Sequence, residues 1–292
     1  DYTRANYLDS LKLLGAMTKK AIFQSGQTAV VTGAALGIGR ALAQRFAGMG
    51  LNVCLADLPG PDLESAVNEI RGQLSGASGQ VVGIAADVSD ENQVIGLAAQ
   101  VVERFGVPHV LVNNAVTRVG KGMDAELAEW HRAIGVNFFG VVNGVRAFLP
   151  AMQKAGGDRR IVNVGSKQGI TNPPGHPIYN VSKSAVKTYT EVLEHELRTD
   201  SAQADRVQAH LLVPGWTTTG KSEPNPGAWL PEQVVDYFLS GLQRNDFYII
   251  CPDGEVTEEM DRARIVWAAS DITDNRPPLS RWHPDFKDKF NL

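Results

Sequence analysis

Short apolar runs, mostly β-branched, alternate with helical patterns along most of this 292-residue chain. The first strand pattern is Thr28–Thr32, and a helical pattern follows it at 41–50. Such alternation predicts parallel βαβ units, because adjacent parallel strands need a crossover connection, usually a helix. The other predicted strands are 52–56, 81–86, 109–113, 160–164, 207–213 and 247–251, and the other predicted helices are 63–74, 91–105, 126–155, 178–198, 231–243 and 255–269. We therefore expect an α/β fold, a doubly wound sheet of about seven parallel strands with helices on both faces.

These elements are predicted to form one domain, because no linker or internal repeat divides them. An N-terminal extension, residues 1–26, has apolar residues spaced between lysines and predicts an amphipathic helix. The main domain is assigned to residues 27–270. A proline-rich tail, residues 271–292, follows, and its Trp282 and Phe286 predict that it docks on the domain.

Composition argues against several classes of partner. A net charge of -4 and a pI of about 5.9 offer no basic surface for nucleic acid or an anionic membrane. No uninterrupted apolar run approaches the ~20 residues of a membrane helix, and no secretory signal is evident, so a cytoplasmic protein is expected. Cys54 and Cys251 lie in apolar runs and predict free, buried thiols. The six histidines show no metal-ligand spacing, so no metal is expected.

A glycine-rich loop joins the first predicted strand to the first predicted helix. Its sequence is Thr-Gly-Ala-Ala-Leu-Gly-Ile-Gly, residues 32–39. Glycines allow positive φ and close backbone approach, and the start of a helix attracts a pyrophosphate. An ordinary strand-to-helix turn is the alternative, but the strand–loop–helix context favours a dinucleotide site in a Rossmann-type fold. The candidate cofactor-binding residues of this loop are Gly33, Ala35, Leu36, Gly37, Ile38 and Gly39.

Asp57, at the end of the second predicted strand, indicates which dinucleotide is bound. A carboxylate here can accept hydrogen bonds from the adenosine ribose and repel a 2′-phosphate, which favours NAD over NADP. Leu58 beside it is a second candidate contact. The alternative is an aspartate that caps a turn. Arg40 is the one local residue that could instead bind the phosphate of NADP.

Tyr179 and Lys183 are four residues apart at the start of a predicted helix, which places them on one helix face. A free phenol has a pKa near 10. A neighbouring ammonium lowers that pKa, so the pair suits proton transfer to or from an alcohol oxygen. Ser166 ends an apolar strand upstream, where ligands of open α/β sheets bind, and its hydroxyl can bond the substrate oxygen.

Together these residues resemble the short-chain dehydrogenase/reductase family, single-domain branch, over roughly residues 27 to 255. The family's Thr-Gly-x-x-x-Gly-x-Gly loop matches residues 32–39, and its Tyr-x-x-x-Lys motif matches Tyr179 and Lys183. Its Asn-Asn-Ala-Gly stretch is Asn-Asn-Ala-Val at 113–116, where Val116 departs from the pattern and adds bulk beside the expected nicotinamide pocket.

The resemblance implies a role for each matching residue. It implies that Tyr179 is the acid/base, that Lys183 lowers its pKa and binds the nicotinamide ribose, and that Ser166 positions the carbonyl. It implies that Asn137 anchors a relay water and that hydride passes directly between substrate and nicotinamide. Further cofactor contacts implied by the resemblance are Asp87, Val88, Asn113, Ala115, Pro214, Gly215, Thr217 and Thr219, in addition to Tyr179 and Lys183.

The substrate pocket is predicted to be closed by residues 216–230, whose glycines and prolines indicate a mobile lid. Trp216 and Trp229 would form apolar walls, although either could be a core residue. A hydrophobic or aromatic alcohol or ketone is therefore expected, with Ser166, Gln168, Tyr179 and Trp216 as substrate contacts. His176 could face the substrate or lie in a surface turn. The resemblance implies a homodimer or homotetramer through helices 137–155 and 178–198.

Two other interpretations are open. One is an NADPH-dependent carbonyl reductase, and another is a non-enzymatic protein that senses a dinucleotide. A methyltransferase shares a similar first loop but has no reason for the tyrosine–lysine pair.

Overall fold

The computed structural model describes residues 22–74, 79–118, 122–199, 207–219, 223–286 and 288–290. The predicted N-terminal helix therefore lies almost entirely outside the described residues. Within that extension, Phe23 is buried and its ring meets the ring of Phe46 edge-on at 5.5 Å.

A parallel sheet of seven strands lies at the centre of the described residues. The strands are β1 (Thr28–Thr32), β2 (Asn52–Asp57), β3 (Val81–Ala85), β4 (Val110–Asn113), β5 (Arg159–Val164), β6 (Val207–Val213) and β7 (Tyr248–Ile250). Their order is β3-β2-β1-β4-β5-β6-β7. Val31 of β1 lies between Leu55 of β2 and Val112 of β4 in the register. The predicted doubly wound fold is confirmed.

Helices cover both faces of this sheet. They are α1 (Gly37–Gly48), α2 (Pro61–Gln73), α3 (Glu91–Phe105), α4 (Leu127–Ile134), α5 (Gly140–Ala155), α6 (Gln168–Thr171), α7 (Pro177–Thr199), α8 (Pro231–Arg244) and α9 (Glu258–Thr273). One core layer contains Phe46 of α1 and Phe238 of α8, and the opposite layer contains Phe148 of α5 and Leu197 of α7. The order of strands reverses between β1 and β4, which opens a crevice at their carboxyl ends.

Helix α3 shows why the local predictions succeed. Asp90 caps its start by accepting hydrogen bonds from the N–H groups of Asn92 and Gln93. Its buried residues recur at helical spacing on one face: Val94, Leu97, Ala98 and Val101. It ends at Gly106, whose φ of 76° is the left-handed conformation that glycine accepts without strain.

The predicted helix 126–155 is one continuous element with a π-helical turn, Gly135–Phe139, between α4 and α5. By length and composition alone, the helix Leu127–Ala155 could cross a membrane. This helix contains no uninterrupted apolar run of that length, but the small and polar residues that interrupt its apolar residues leave the mean hydropathy high. Val145, Phe148 and Met152 of this helix are buried against the sheet, as in a core helix.

The last predicted helix begins at Glu258 rather than 255, because Thr257 caps it by accepting from the N–H of Met260. The tail then folds back on α9. Ser280 is fully buried and accepts from the indole N–H of Trp267 at 2.8 Å, while Asp271 accepts from the N–H of Ser280 at 2.9 Å. Trp282 keeps 39% of its surface exposed.

The two cysteines are free and buried, as predicted. Cys54 is in β2, and Cys251 directly follows β7. Burial raises the pKa of both thiols to about 12, so both stay protonated near neutral pH.

Candidate active site

The glycine loop after β1 is held too tightly for side chains at two positions. Gly33 has a φ of 62°, and a Cβ there would lie 2.7 Å from the Cα of Ala115. A Cβ on Gly39 would lie 2.2 Å from the carbonyl oxygen of Gly33. The backbone therefore turns sharply and enters α1 at Gly37.

The N-terminus of α1 opens towards the crevice without a cap. No described side chain caps this helix, and its first turn carries no acidic residue. Its first N–H groups and the helix dipole are thus available to a phosphate group. Leu36 and Ile38 are half-buried beside the glycines, and the methyl of Thr219 lies 3.4 Å from where a Cβ of Gly37 would be.

Asn114 joins this loop to the end of β4. Its Nδ2 donates to the carbonyls of Thr32 and Gly33, each at 3.0 Å. In return, Oγ1 of Thr32 accepts from the N–H groups of Asn114 and Ala115 at 3.0 and 3.2 Å. These bonds bring Ala115 beside Gly33.

Asp57 lies at the end of β2 and faces the glycine loop. Its Oδ2 accepts from Ala35 N at 2.8 Å, and its Oδ1 accepts from Leu58 N at 2.8 Å. The aspartate therefore caps a turn, and each carboxylate oxygen has a lone pair left for a ligand hydroxyl. Arg40, the candidate phosphate-binding arginine, is instead paired with Glu69 of α2.

Ser166, Tyr179 and Lys183 meet where β5 ends and α7 begins. The hydroxyl of Ser166 is close enough to that of Tyr179 to lower the pKa of the phenol. Lys183 is buried, and its Nζ donates to the carbonyl of Val164 at 2.8 Å and lies 5.9 Å from the centre of the Tyr179 ring. The predicted helix-face geometry of the pair is therefore present.

The expected lowering of the Tyr179 pKa is not found in the protein alone. Burial raises the pKa of Tyr179. The Ser166 hydroxyl and the charge of Arg118 lower it, but they offset the rise only in part. Lys183 faces the Val164 carbonyl rather than the phenol oxygen, and its own burial lowers its pKa to about 8. The sequence places Tyr179 and Lys183 on one helix face, but it does not show that the Val164 carbonyl competes for the Lys183 ammonium.

Asn137 occupies the π-helical turn and is fully buried. Its Oδ1 accepts from the N–H of Thr117 at 2.7 Å, and its Nδ2 donates to the carbonyl of Thr117 and to Oγ of Ser182, both at 3.1 Å. The side chain thus ties the loop after β4 to α7, close to Tyr179.

The loop after β6 contains the predicted contacts Pro214, Gly215, Thr217 and Thr219. Oγ1 of Thr217 donates to the carbonyl of Gly215 at 3.1 Å, and the backbone of Thr217 forms a β-bridge with Trp229. Trp216 is 49% exposed, and its ring lies against Gly227. Trp229 packs on the core, 6.0 Å from the ring of Tyr237, which supports its interpretation as a core residue. Residues 220–222 of the predicted lid lie outside the described residues.

Other predicted contacts are structural in the protein alone. Asp87 accepts from the N–H and hydroxyl of Ser89, and the carbonyl of the buried Val88 accepts from Asn143 at 2.9 Å. Asn113 donates to Asn163 at 2.9 Å, while its own Oδ1 is buried without a described hydrogen-bond partner.

Gln168 and Val116 lie nearer the substrate side. The side-chain oxygen of Gln168 is buried and has no hydrogen-bond partner among the described residues, so it can accept from a ligand. Val116 is 48% exposed, so the bulk that it adds in place of the glycine of the family motif lies at the surface rather than in the core. His176 is half-buried in the turn before α7, where its carbonyl accepts from Asn180.

Three residues that hold the site were not singled out from the sequence. Asn114 could have been found, because it stands in the Asn-Asn pair of the motif. Asp253 follows β7, so its strand-end position was a usable signal. Lys167 is next to Ser166, but its partners lie 86 and 94 residues away, and no local pattern indicates them.

The arrangement can bind an elongated ligand that carries phosphates and can move a proton. The uncapped α1 and the glycines suit a pyrophosphate, and Asp57 suits a ribose. The half-buried phenol of Tyr179 beside the buried amine of Lys183 suits an oxygen that gains or loses a proton. These residues fit a nicotinamide dinucleotide, whose phosphates the loop 33–39 could hold and whose ribose Lys183 could reach.

Comparisons with known proteins agree with the fold and the motifs. A family model described as short chain dehydrogenase matches residues 27–226. The oxidoreductase SadH of Mycobacterium tuberculosis is 39% identical over 174 residues, which make up 59% of this chain and 61% of SadH. The matched part thus spans less than two thirds of SadH.

Solved structures match over more of the chain. A short-chain dehydrogenase/reductase from Burkholderia phymatum in complex with NAD has a TM-score of 0.77 and 31% identity, covering 87% of this chain and 96% of the other. An alcohol dehydrogenase from Thermococcus sibiricus complexed with 5-hydroxy-NADP has a TM-score of 0.65 and 27% identity, covering 74% and 90%. Since the family model covers more than half of the chain and the fold agrees, the chain belongs to the short-chain dehydrogenase/reductase family.

Proposed function

We propose that this protein is an NAD-dependent oxidoreductase that interconverts a secondary alcohol and a ketone. The observation that carries the proposal is the placement of Tyr179, at the start of α7, beside Ser166, which follows β5, with the buried Lys183 5.9 Å from the centre of its ring. A phenol in this position can exchange a proton with a substrate oxygen. A protein that only senses a dinucleotide would have no use for this group.

Each residue of the site has a proposed task. Tyr179 gives its phenol proton to a carbonyl oxygen or takes the proton of an alcohol, and Ser166 donates a hydrogen bond that orients that oxygen. Lys183 holds positive charge near the phenol and binds the nicotinamide ribose. Asn137 anchors a relay water. A bound dinucleotide would supply the hydride acceptor in its oxidised form and the hydride donor in its reduced form.

The choice of NAD over NADP rests on Asp57 and Arg40. A 2′-phosphate placed near the carboxylate of Asp57 would meet negative charge. Arg40 is paired with Glu69, so a 2′-phosphate would have to compete with that carboxylate for the guanidinium. Further proposed cofactor contacts are Gly33, Ala35, Leu36, Gly37, Ile38, Gly39, Leu58, Asp87, Val88, Asn113, Ala115, Pro214, Gly215, Thr217 and Thr219.

The proposed substrate is hydrophobic or aromatic. Val116 and Trp216 each expose about half of their surface on loops that follow β4 and β6. Because both loops end at the crevice, their apolar side chains can contact an apolar substituent. The unpartnered oxygen of Gln168 would accept one hydrogen bond from a substrate hydroxyl.

We also propose a cytoplasmic homodimer or homotetramer that uses α5 and α7. Val192 of α7 and Ile95 of α3, which packs beside α5, are each about half exposed and would be buried in such an assembly. Light scattering on the purified protein tests this, and a monomer at micromolar concentration would contradict it.

The test of the function is titration with NADH and with NADPH, followed by nicotinamide fluorescence, on the wild type and Asp57→Ala. We expect tighter binding of NADH in the wild type and loss of that preference in the variant. A screen of alcohols with NAD then uses Tyr179→Phe as the inactive control. If NADPH binds more tightly, the NADPH-dependent carbonyl reductase replaces this proposal, and if neither dinucleotide binds, the proposal fails.

A further inference from the structure

A buried ion network lies directly behind Ser166. Lys167, the next residue, exposes only 17% of its side chain, and its Nζ is 2.6 Å from Oδ2 of Asp261 and 3.3 Å from Oδ2 of Asp253. The two carboxylates expose 9% and 4% of their side chains. Both belong to the part of the chain beyond residue 226, where the match to the family model ends.

Asp253 connects this network to the loop after β6. Its Oδ2, which bonds Lys167, also accepts from the N–H of Trp216 at 3.0 Å. Its Oδ1 accepts from the N–H groups of Glu255 and Val256 at 3.1 and 2.8 Å. A Cβ on Gly215 would lie 2.8 Å from Oδ2 of Asp253, so the loop passes in direct contact with the carboxylate.

Asp261 connects the same lysine to α9 and the tail. The charge of Arg264, one turn further along α9, acts on Asp261, and the charge of Asp261 acts in turn on Arg281 of the tail. Asp261 is thus paired directly with Lys167, and Arg264 and Arg281 add positive charge nearby. The network joins the turn that carries Ser166, the loop that carries Gly215 and Thr217, and the C-terminal helix.

Stabilisation of the fold is a weak explanation for such a network. Removing two charges from water costs about as much as their attraction returns, so a buried ion pair often contributes little net stability. What a buried pair with defined geometry does supply is a fixed position for the backbones that carry it. Here those backbones include Ser166, whose Oγ accepts from the N–H of Gln168 in the same turn.

We propose that Lys167 is a positioning residue, which through Asp253 and Asp261 fixes the backbones of Ser166 and of the loop 215–217 relative to each other. The proposal rests on the oxidoreductase function above for its effect on turnover. The geometric part does not depend on that function. Lys167 is not assigned a contact with substrate or cofactor, because its ammonium is paired with Asp253 and with Asp261 of α9.

The geometric part is tested by amide hydrogen exchange on Lys167→Met. Exchange is expected to become about tenfold faster or more in peptides covering 166–171 and 214–217, because the shared anchor is lost. Exchange in the glycine loop, 33–39, is expected to stay as in the wild type. Lys187→Met is the matched control, since it removes a partly exposed lysine paired with Glu191 on α7. Unchanged exchange in both active-site peptides would overturn the proposal.

The effect on turnover is tested with Lys167→Met and with the double variant Lys167→Met/Asp261→Asn, assayed well below their melting temperatures. Misplacing Ser166 is expected to lower kcat about tenfold to a hundredfold, while the dissociation constant for NADH stays within about twofold. The double variant has no unpaired carboxylate at position 261 and is expected to recover thermal stability but not kcat. Recovery of kcat together with stability would show that Lys167 acts only through folding and would overturn the proposal.

Failure of the proposed oxidoreductase function can be distinguished from failure of the positioning role of Lys167. If the wild type binds no dinucleotide and oxidises no alcohol, the proposed function fails, and hydrogen exchange still decides whether Lys167 holds the two loops. If the wild type is active and Lys167→Met keeps full kcat with normal exchange, only the positioning role fails.

Discussion

The carboxylate of Asp57 accepts a hydrogen bond from Ala35 N at 2.8 Å, so the end of β2 holds the glycine loop that follows β1. One residue thereby shapes the proposed phosphate site and faces the proposed ribose site. These two tasks require different properties of the side chain, an acceptor for the first and a negative charge for the second.

Substitutions at Asp57 can separate the two tasks. Asp57→Asn removes the charge and keeps one acceptor oxygen for the Ala35 N–H, but it loses the exposed bond from Leu58 N. The preference for NADH over NADPH should therefore fall, while the free energy of unfolding should drop by less than in Asp57→Ala. Asp57→Ala removes the acceptor as well and should cost about 1–3 kcal/mol of stability. Urea unfolding and fluorescence titration of both variants check this. Equal loss of stability in the two variants would contradict it.

Gly39→Ala should disrupt the site through the backbone. The new Cβ would lie 2.2 Å from the carbonyl oxygen of Gly33. Because backbone on both sides must move, we expect a loss of about 2–4 kcal/mol in the free energy of unfolding and weaker NADH binding. Gly48→Ala is the matched control in the same helix, since nothing lies within 4 Å of its Cβ position. It should stabilise the protein by about 0.5–1 kcal/mol.

Lys183→Met should make the protein inactive but more stable. Burial lowers the pKa of Lys183 from 10.5 to about 8, so the folded state disfavours the ammonium. At pH 7 that penalty is about 3 kcal/mol, and Lys183→Met removes it. The substitution also loses the hydrogen bond to the Val164 carbonyl, which costs about 1 kcal/mol. We therefore expect a net gain of about 1–2 kcal/mol in the free energy of unfolding.

The sign of the pH dependence at Lys183 follows from linkage. Between pH 8 and 10.5 the unfolded lysine still holds its proton and the folded one does not, so the penalty fades as the pH rises. The stability advantage of Lys183→Met should therefore be larger at pH 7 than at pH 9.5. Chemical unfolding at both pH values measures it, with Lys187→Met as the control at a partly exposed lysine. An equal advantage at both pH values would show that the ammonium is not the cause.

His210 should make the fold sensitive to acid. It is buried in β6, where its Nδ1–H donates to the carbonyl of Asp246 at 2.8 Å and its Nε2 accepts from Arg160 at 3.0 Å. Burial lowers its pKa from 6.5 to about 4. Between pH 6.5 and about 4, the unfolded state binds more protons than the folded state. The free energy of unfolding therefore falls as the pH falls through this range, by at most about 3 kcal/mol.

His210→Gln removes the titrating group but keeps polar atoms for both partners. We expect its unfolding free energy to depend less on pH between 6.5 and 4 than that of the wild type, as followed by circular dichroism in urea. The control is His131→Gln, which replaces an exposed histidine of α4. A wild-type slope in His210→Gln would assign the acid sensitivity to other groups.

Local patterns in the sequence determined the order of the elements and the fold class. The strand and helix periodicities of the sequence agree with the observed elements because each element buries its own apolar face, as α3 does with Val94, Leu97 and Val101. The glycine loop and the spacing of Tyr179 and Lys183 are also local, so these motifs alone place the site at the carboxyl ends of the strands. The family resemblance follows from the same short motifs.

Only the tertiary structure decided which partners the polar groups choose. Lys183 donates to Val164 rather than to Tyr179, Arg40 pairs with Glu69, and Lys167 reaches two carboxylates on the C-terminal side of the chain. Hydrogen bonds and ion pairs join groups that are close in space, and the sequence separation of such groups follows no period. Desolvation likewise depends on everything packed around a group, which is why the raised pKa of Tyr179 could not be inferred from the motif alone.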